Sequence, residues 1–363
     1  MNLRSAILIT YPNCEATEEA KSLAEAAGYS IEMTVTQRNI TRSKFGIGKG
    51  KAEEVRELIK ASKVDCLIFD EVLKPTQQYN LTKLCEIDVV DRERLILEIF
   101  ERRASTEESR IQIKLAQLHY DAVRIKEKIK LARRGEQPGF FGLGKYDVDV
   151  SSLYIKNRIS VLKKKLSREE KRKQLQRTNR VNLGYPTISI VGYTSAGKTT
   201  LFNLLSGESK TVGPLLFTTL STSTRAIKLK KGKAMISDTI GFISKLPAYV
   251  IDAFKSTLEE LYLSNMILLV VDISRSKEVI EEQLLSSIRV LNHMGINLGK
   301  VVYVLNKADS ISLEEANEKQ SKLVFINEKK NTILISAKKN MNINSLLKLI
   351  ESKIFNEKNE DFS

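Results

Sequence analysis

Residues 187–206 read TISIVGYTSAGKTTLFNLLS, and this stretch decides the architecture of the second half of the chain. Ile188 to Val191 is a short apolar run that feeds a tight glycine turn, which opens into an amphipathic segment led by Thr199, Thr200, Leu201 and Phe202. The pattern predicts strand, loop, helix. Gly192 to Thr199 spells G-x-x-x-x-G-K-T, in which loop N–H groups and a helix N-terminus converge on phosphates. Gly192, Tyr193, Thr194, Ser195, Ala196 and Gly197 are thus the expected cradle, with Thr200 just beyond it. Lys198 is placed to reach the outer phosphates, and the Thr199 hydroxyl to take one position on Mg2+.

Strand signals downstream fall near 187–191, 226–230, 233–237, 267–272, 301–305 and 332–335, with helical segments between most of them. That alternation predicts a doubly wound α/β sheet whose chemistry lies at the carboxyl ends of the strands. Asp238-Thr-Ile-Gly241 follows the third run; an Asp there holds a metal through water, and the glycine N–H can sense the outermost phosphate. Between the two motifs, Phe217, Thr218 and Thr219 supply a hydroxyl, Thr219, suited to complete Mg2+ coordination in a triphosphate state. Lys198, Thr219 and Gly241 are therefore the candidate catalytic groups, and Thr199, Thr219 and Asp238 the candidate metal set.

Base choice is read from Asn306-Lys307-Ala308-Asp309, after the strand VVYVL. A carboxylate at Asp309 accepts from N1–H and the 2-amino group of guanine; adenine lacks both donors and would leave Asp309 unpaired and buried. Ser336-Ala337-Lys338, after TILI, fits a station where a backbone N–H meets the guanine 6-oxo group. Four ordered stations imply a GTP/GDP site. Phe242 stands where a glutamine would orient the attacking water, so unassisted turnover is expected to be slow, on the order of 10⁻⁴ to 10⁻² per second, and to rise with a partner.

The chain has 363 residues, 42% hydrophobic and 28% charged, with a net charge of +15. That length suits two or three domains, and the positive charge favours a polyanionic partner such as RNA. Cys14, Cys66 and Cys85 show no metal-like spacing and fit a reducing cytosol; two histidines, His119 and His293, are too few for a histidine metal site. Neither a signal peptide nor a membrane span is expected, since the longest apolar run, Met266 to Val271, suits a buried strand.

Upstream, residues 1–91 alternate apolar runs (Ala6 to Thr10, Ile31 to Thr36, Cys66 to Asp70, Asp88 to Val90) with helical periodicity over 15–27, 51–62 and 76–85. A small parallel sheet flanked by helices follows. The basic, glycine-bearing loop Arg38 to Lys51 reads equally well as a phosphate contact or a solvated connection. Over 92–181 the texture is long helix. Ile111, Leu115, Leu118, Ala122, Ile125, Ile129 and Ala132 form one seam, and Ser152, Ile155, Ile159, Leu162 and Leu166 a second, across a break at Gly135 to Gly144. An antiparallel hairpin is predicted. Its second helix carries eleven Lys or Arg residues from Lys156 to Arg180 against Glu169 and Glu170. Lys163, Lys164, Lys165, Lys171, Arg172 and Lys173 are the candidate RNA contacts, a solvated face being the alternative. The third domain, 182–363, closes with one short helix over Ile343 to Ile354.

GYTSAGKTTLFN, LFTTLSTSTR, DTIGFISKLP, AFKSTLEELYLSNMILLVVD, DRERLILEIFERRASTEESRIQIKLAQLHY and IGKGKAEEV together resemble the HflX family of ribosome-associated GTPases, near the Obg group. The resemblance spans nearly the whole chain. It implies GTP hydrolysis coupled to binding the large ribosomal subunit and its rRNA. With the Mg2+ set and the cysteine usage above, a cytoplasmic protein that is monomeric when free is expected. It also implies rRNA contacts by the N-terminal domain and hairpin; Phe in place of the glutamine is the family's habit. Two features depart from it: Ser195 replaces the usual P-loop Asn that would support a monovalent cation, and the tip GFFGLGKYDVD replaces a more acidic run. The alternative from a different class is an RNA-binding or assembly scaffold in which bound nucleotide is structural.

Overall fold

The computed structural model describes residues 3–40, 44–135, 153–169, 172, 185–208, 223–239, 241–243, 250, 261–323 and 331–356, with side chains placed only to 127 in the helix that ends at 135. The chain divides into two compact units, Met1–Arg168 and Glu169–Ser363.

In the first unit, β1 (Arg4–Thr10), β2 (Tyr29–Thr36), β3 (Cys66–Phe69) and β4 (Asp88–Asp91) form one sheet in the order β2-β1-β3-β4. All three pairings are parallel. Helices α1 (Cys14–Ala26), α2 (Lys49–Ser62) and α3 (Pro75–Cys85) fall within two residues of the expected segments. Local chemistry sets their ends: the Asn13 side chain accepts the Glu15 N–H at the start of α1, and Pro75 opens α3. Covered on both faces, β3 is an unbroken apolar run, as a central parallel strand must be. Ile7, Ile9, Leu67, Phe69 and Val89 meet Ile47, Val55, Ile59 and Leu81 in the core.

Asp91 ends the sheet and begins the helices, its carboxylate accepting the Arg94 N–H at the start of α4 (Arg92–Arg103). Helix α5 (Glu107–Gly135) then packs on α6 (153–169) along the predicted seam: Ile111, Leu115 and Leu118 meet Ile155 and Leu162, with Ala122, Ile125, Ile159 and Leu166 half-buried beside them. The side chains of Ile129, Ala132 and Ser152, and the break itself, lie outside the described residues.

The second unit holds β5 (Thr187–Gly192), β6 (Ser223–Leu229), β7 (Gly232–Asp238), β8 (Met266–Asp272), β9 (Val301–Asn306) and β10 (Thr332–Leu334). Their order is β10-β9-β8-β5-β7-β6. Every pair is parallel except β6–β7, a hairpin that adds one antiparallel edge to the predicted doubly wound sheet. Helix α7 (Lys198–Ser206) follows β5; α8 (Lys277–His293), α9 (Leu313–Lys322) and α10 (Ile343–Asn356) complete the described layers. Buried Leu346, Ile350 and Ile354 seat α10 on the core of Ile188, Ile190, Ile236, Leu268 and Val302. The apolar run Met266 to Val271 is the buried strand expected of it. No helix among the described residues is long and apolar enough to cross a membrane.

Candidate active site

β5 lies between β7 and β8, the point where successive connections leave the sheet in opposite directions, and the glycine turn sits at its carboxyl end. The turn is held from two sides. Asn306 is 2% exposed; its Nδ2 donates to the Ala196 carbonyl at 2.8 Å, and its Oδ1 accepts the Ala337 N–H at 2.9 Å. One amide thereby joins the phosphate loop to both base-reading loops. Gly197 adopts φ +95°, and a Cβ there would lie 2.2 Å from Asn306 Nδ2, so only glycine admits the brace. Ser195 also takes a left-handed φ of 61°, a conformation asparagine tolerates better than serine.

On the other side, the Thr194 N–H donates to the Phe242 carbonyl at 2.8 Å and the Phe242 N–H to the Gly192 carbonyl at 2.9 Å. Phe242 is itself buried. Its main chain, rather than its ring, stitches the Asp238–Gly241 segment to the phosphate loop. A Cβ placed on Gly241 would be 2.9 Å from Lys198 Nζ, which shows how near that glycine runs to the amine.

Lys198, Thr199 and Asp238 are all buried at the start of α7 and the end of β7. The Thr199 hydroxyl donates to Asp238 Oδ2 at 3.1 Å, and Lys198 Nζ donates to the Tyr193 carbonyl at 2.7 Å. Burial drives the Lys198 amine down to about 8, with the Asp238 carboxylate opposing the shift. A helix N-terminus, a buried cation and two adjacent side-chain oxygens are the groups from which anion and hard-cation sites are built. Thr239, fully buried, donates through Oγ1 to the Ile190 carbonyl at 2.7 Å and fixes the strand end that carries Asp238.

The two segments expected to read a base flank the brace. Lys307 has φ 64°, and Asp309, two residues on, is exposed. Ser336 is buried and pairs with Met341 through both main-chain groups, while its Oγ accepts the Lys339 N–H at 3.0 Å. The Ala337 N–H is taken by Asn306, and the next residue, Lys338, is exposed.

Phe217, Thr218 and Thr219 lie outside the described residues, as do Lys171 and Lys173. Lys163, Lys164, Lys165 and Arg172 are exposed, Arg172 lying 4.0 Å from Glu169. In the basic loop, Ile40 and Ile47 are core residues, and Lys49 and Lys51 face Glu53 and Glu54 of α2 at 3.9 and 3.0 Å. Sequence reasoning missed Asp272, whose carboxylate holds Lys307. The signal was available: like Asp238, it is an acid that abruptly ends a buried strand at the carboxyl edge.

Family models cover most of the chain: "GTP-binding GTPase N-terminal" matches 14–101, "GTP-binding GTPase Middle Region" 103–180 and "50S ribosome-binding GTPase" 187–307. The chain is 38% identical over 339 residues to GTPase HflX of Methanocaldococcus jannaschii, spanning 93% of this chain and 82% of that protein. It is 35% identical to GTPase HflX of Escherichia coli over 82% of this chain and 70% of the relative. A GTP-binding protein of Sulfolobus solfataricus, solved with GDP, aligns over 98% of this chain and 100% of its own, at 30% identity and a TM-score of 0.51.

Proposed function

The chain belongs to the HflX family of GTPases, a ribosome-binding family, and from that premise we propose a guanine-nucleotide switch whose GTP form alters affinity for the large ribosomal subunit. The observation that carries this reading is the Asn306 amide, which couples the phosphate loop at Ala196 to the base-reading loop at Ala337. A chain that only needed phosphate would have no use for that link.

In this reading Asp309 accepts from the Watson–Crick edge of guanine, and Lys338 donates to the 6-oxo group. The cradle Gly192 to Gly197 donates main-chain N–H groups to the phosphates, with Thr200 beside them. Lys198 stabilises charge that builds on the outer phosphates during transfer. The hydroxyl of Thr199 and the carboxylate of Asp238 suit Mg2+, a hard cation that neutralises phosphate charge when bound. Thr219 completes that set, and the Gly241 N–H meets the outermost phosphate. Phe242 offers no side-chain hydrogen bond to water, so positioning the nucleophile falls to backbone groups and to the partner, and unassisted turnover is slow. The exposed lysines 163–165, with Lys171, Arg172 and Lys173, track rRNA phosphates.

The test is radiolabelled GTP turnover with and without purified large subunits, alongside co-sedimentation in GDP and in a non-hydrolysable GTP analogue across a salt series. Stimulated hydrolysis and GTP-dependent, steeply salt-sensitive binding are expected. Nucleotide-independent binding without stimulation would replace the switch with the scaffold reading.

A further inference from the structure

β8 ends in a carboxylate that the nucleotide chemistry above does not use. The Asp272 side chain is 6% exposed and lies opposite Asn306 in the β8–β9 register. Its Oδ2 accepts from Lys307 Nζ at 2.6 Å, with Arg275 Nε at 3.7 Å. Its Oδ1 accepts the Ser274 N–H at 3.1 Å and the Ser274 hydroxyl at 2.5 Å. Around it, the Ile273 N–H donates to the Asn306 carbonyl at 3.0 Å, and Lys319 Nζ donates to the Arg275 carbonyl at 2.9 Å.

We propose that Asp272 is a positioning residue for base recognition, acting through Lys307. A lysine with left-handed backbone between Asn306 and Asp309 carries a four-carbon stem that can cover one face of a purine, provided its ammonium is anchored. Left free, such a stem samples many rotamers, and holding it on binding costs side-chain entropy. Asp272 removes that cost in advance by fixing the far end with a charge-assisted hydrogen bond. Ser274 in turn fixes the carboxylate. The wall is therefore built before the base arrives, and it recognises a flat apolar face rather than a donor pattern. Loss of Asp272 weakens guanine and hypoxanthine nucleotides alike, whereas Asp309 sets the preference between bases.

This inference rests on the guanine-site reading, and the experiment separates the two. GDP, IDP and ADP binding is measured by calorimetry on wild type, Asp272→Asn, Lys307→Met and the double variant, with thermal melts as a folding control. Asp272→Asn and Lys307→Met each weaken GDP by about tenfold, and IDP by the same factor, as loss of one charge-assisted hydrogen bond predicts. The double variant is no weaker than the poorer single, because both act on one contact. Additive single effects overturn the positioning role while leaving the guanine site standing. Equal affinity of wild type for ADP and GDP overturns the guanine site itself. Should Asp272→Asn fail to fold, Lys307→Met alone decides: binding GDP as tightly as wild type refutes the proposal.

Discussion

Two parallel sheets in one chain treat their carboxyl edges in opposite ways. In the second unit, the glycine turn at the end of β5 has left-handed backbone at Ser195 and Gly197, and the buried charged groups near it are Lys198 and Asp238. In the first unit, the corresponding reversal lies between β1 and β3, and it is filled by the protein itself. Thr10 Oγ1 donates to Asp70 Oδ2 at 2.8 Å, and the 2%-exposed Arg92 guanidinium reaches both Asp70 and Glu19. One strand over, Asp91 accepts from Tyr120 Oη at 2.9 Å and from Arg124 Nη2 at 2.6 Å, Arg124 lying over the Tyr120 ring. Similar topology thus yields a plug of ion pairs in one sheet and a glycine turn beside a buried lysine in the other. In the first sheet the buried charges pair with one another and with the incoming helix α5.

That contrast can be broken by mutation. The largest effect is expected at the plug: Arg92→Ala leaves the Asp70 carboxylate buried beside an empty space and destabilises the first unit by about 3–5 kcal/mol, read as a lowered denaturant midpoint. GDP binding by the second unit should survive at native conditions, and parallel loss of both would show that the two edges are not independent. At the open edge, Lys198→Ala should lower single-turnover GTP hydrolysis by about 10²–10³-fold, with little change in the melt, since it removes charge stabilisation and not packing.

A smaller, reversible test uses pH. Phosphate favours the charged Lys198 amine, whose value in the protein is about 8, so the complex takes up a proton above that pH. Nucleotide affinity should be flat below pH 8 and fall by up to about tenfold per unit above it, a trend that Lys198→Met abolishes. No such dependence is expected of the plug, whose arginines stay charged. The smallest effect separates glycines by their surroundings. Gly50 sits on α2 with nothing within 4 Å of a built Cβ, so Gly50→Ala should stabilise the first unit by about 0.5–1 kcal/mol in a urea melt. Gly197→Ala, by contrast, must displace Asn306 and lose nucleotide.

Much of this was legible in the residues. The strands of both sheets and the hairpin seam from Ile111 to Ile125 follow from period and spacing, because each is a pattern local in sequence. The plug was not legible, for Glu19, Asp70, Arg92 and Arg124 look like ordinary surface charges until the fold buries them together. Phe242 was read by its ring, whereas its backbone makes the contact.

Residue order alone marks which strand ends carry glycine, lysine and carboxylate at fixed spacing. It took the folded chain to bring Asn306 between two loops, Asp272 against Lys307 and Arg92 against Asp70. Those facts depend on groups between 22 and 110 positions apart meeting in a low-dielectric interior, where an ion pair or amide bridge is strong and its absence costly. Such meetings leave no periodic trace in the chain.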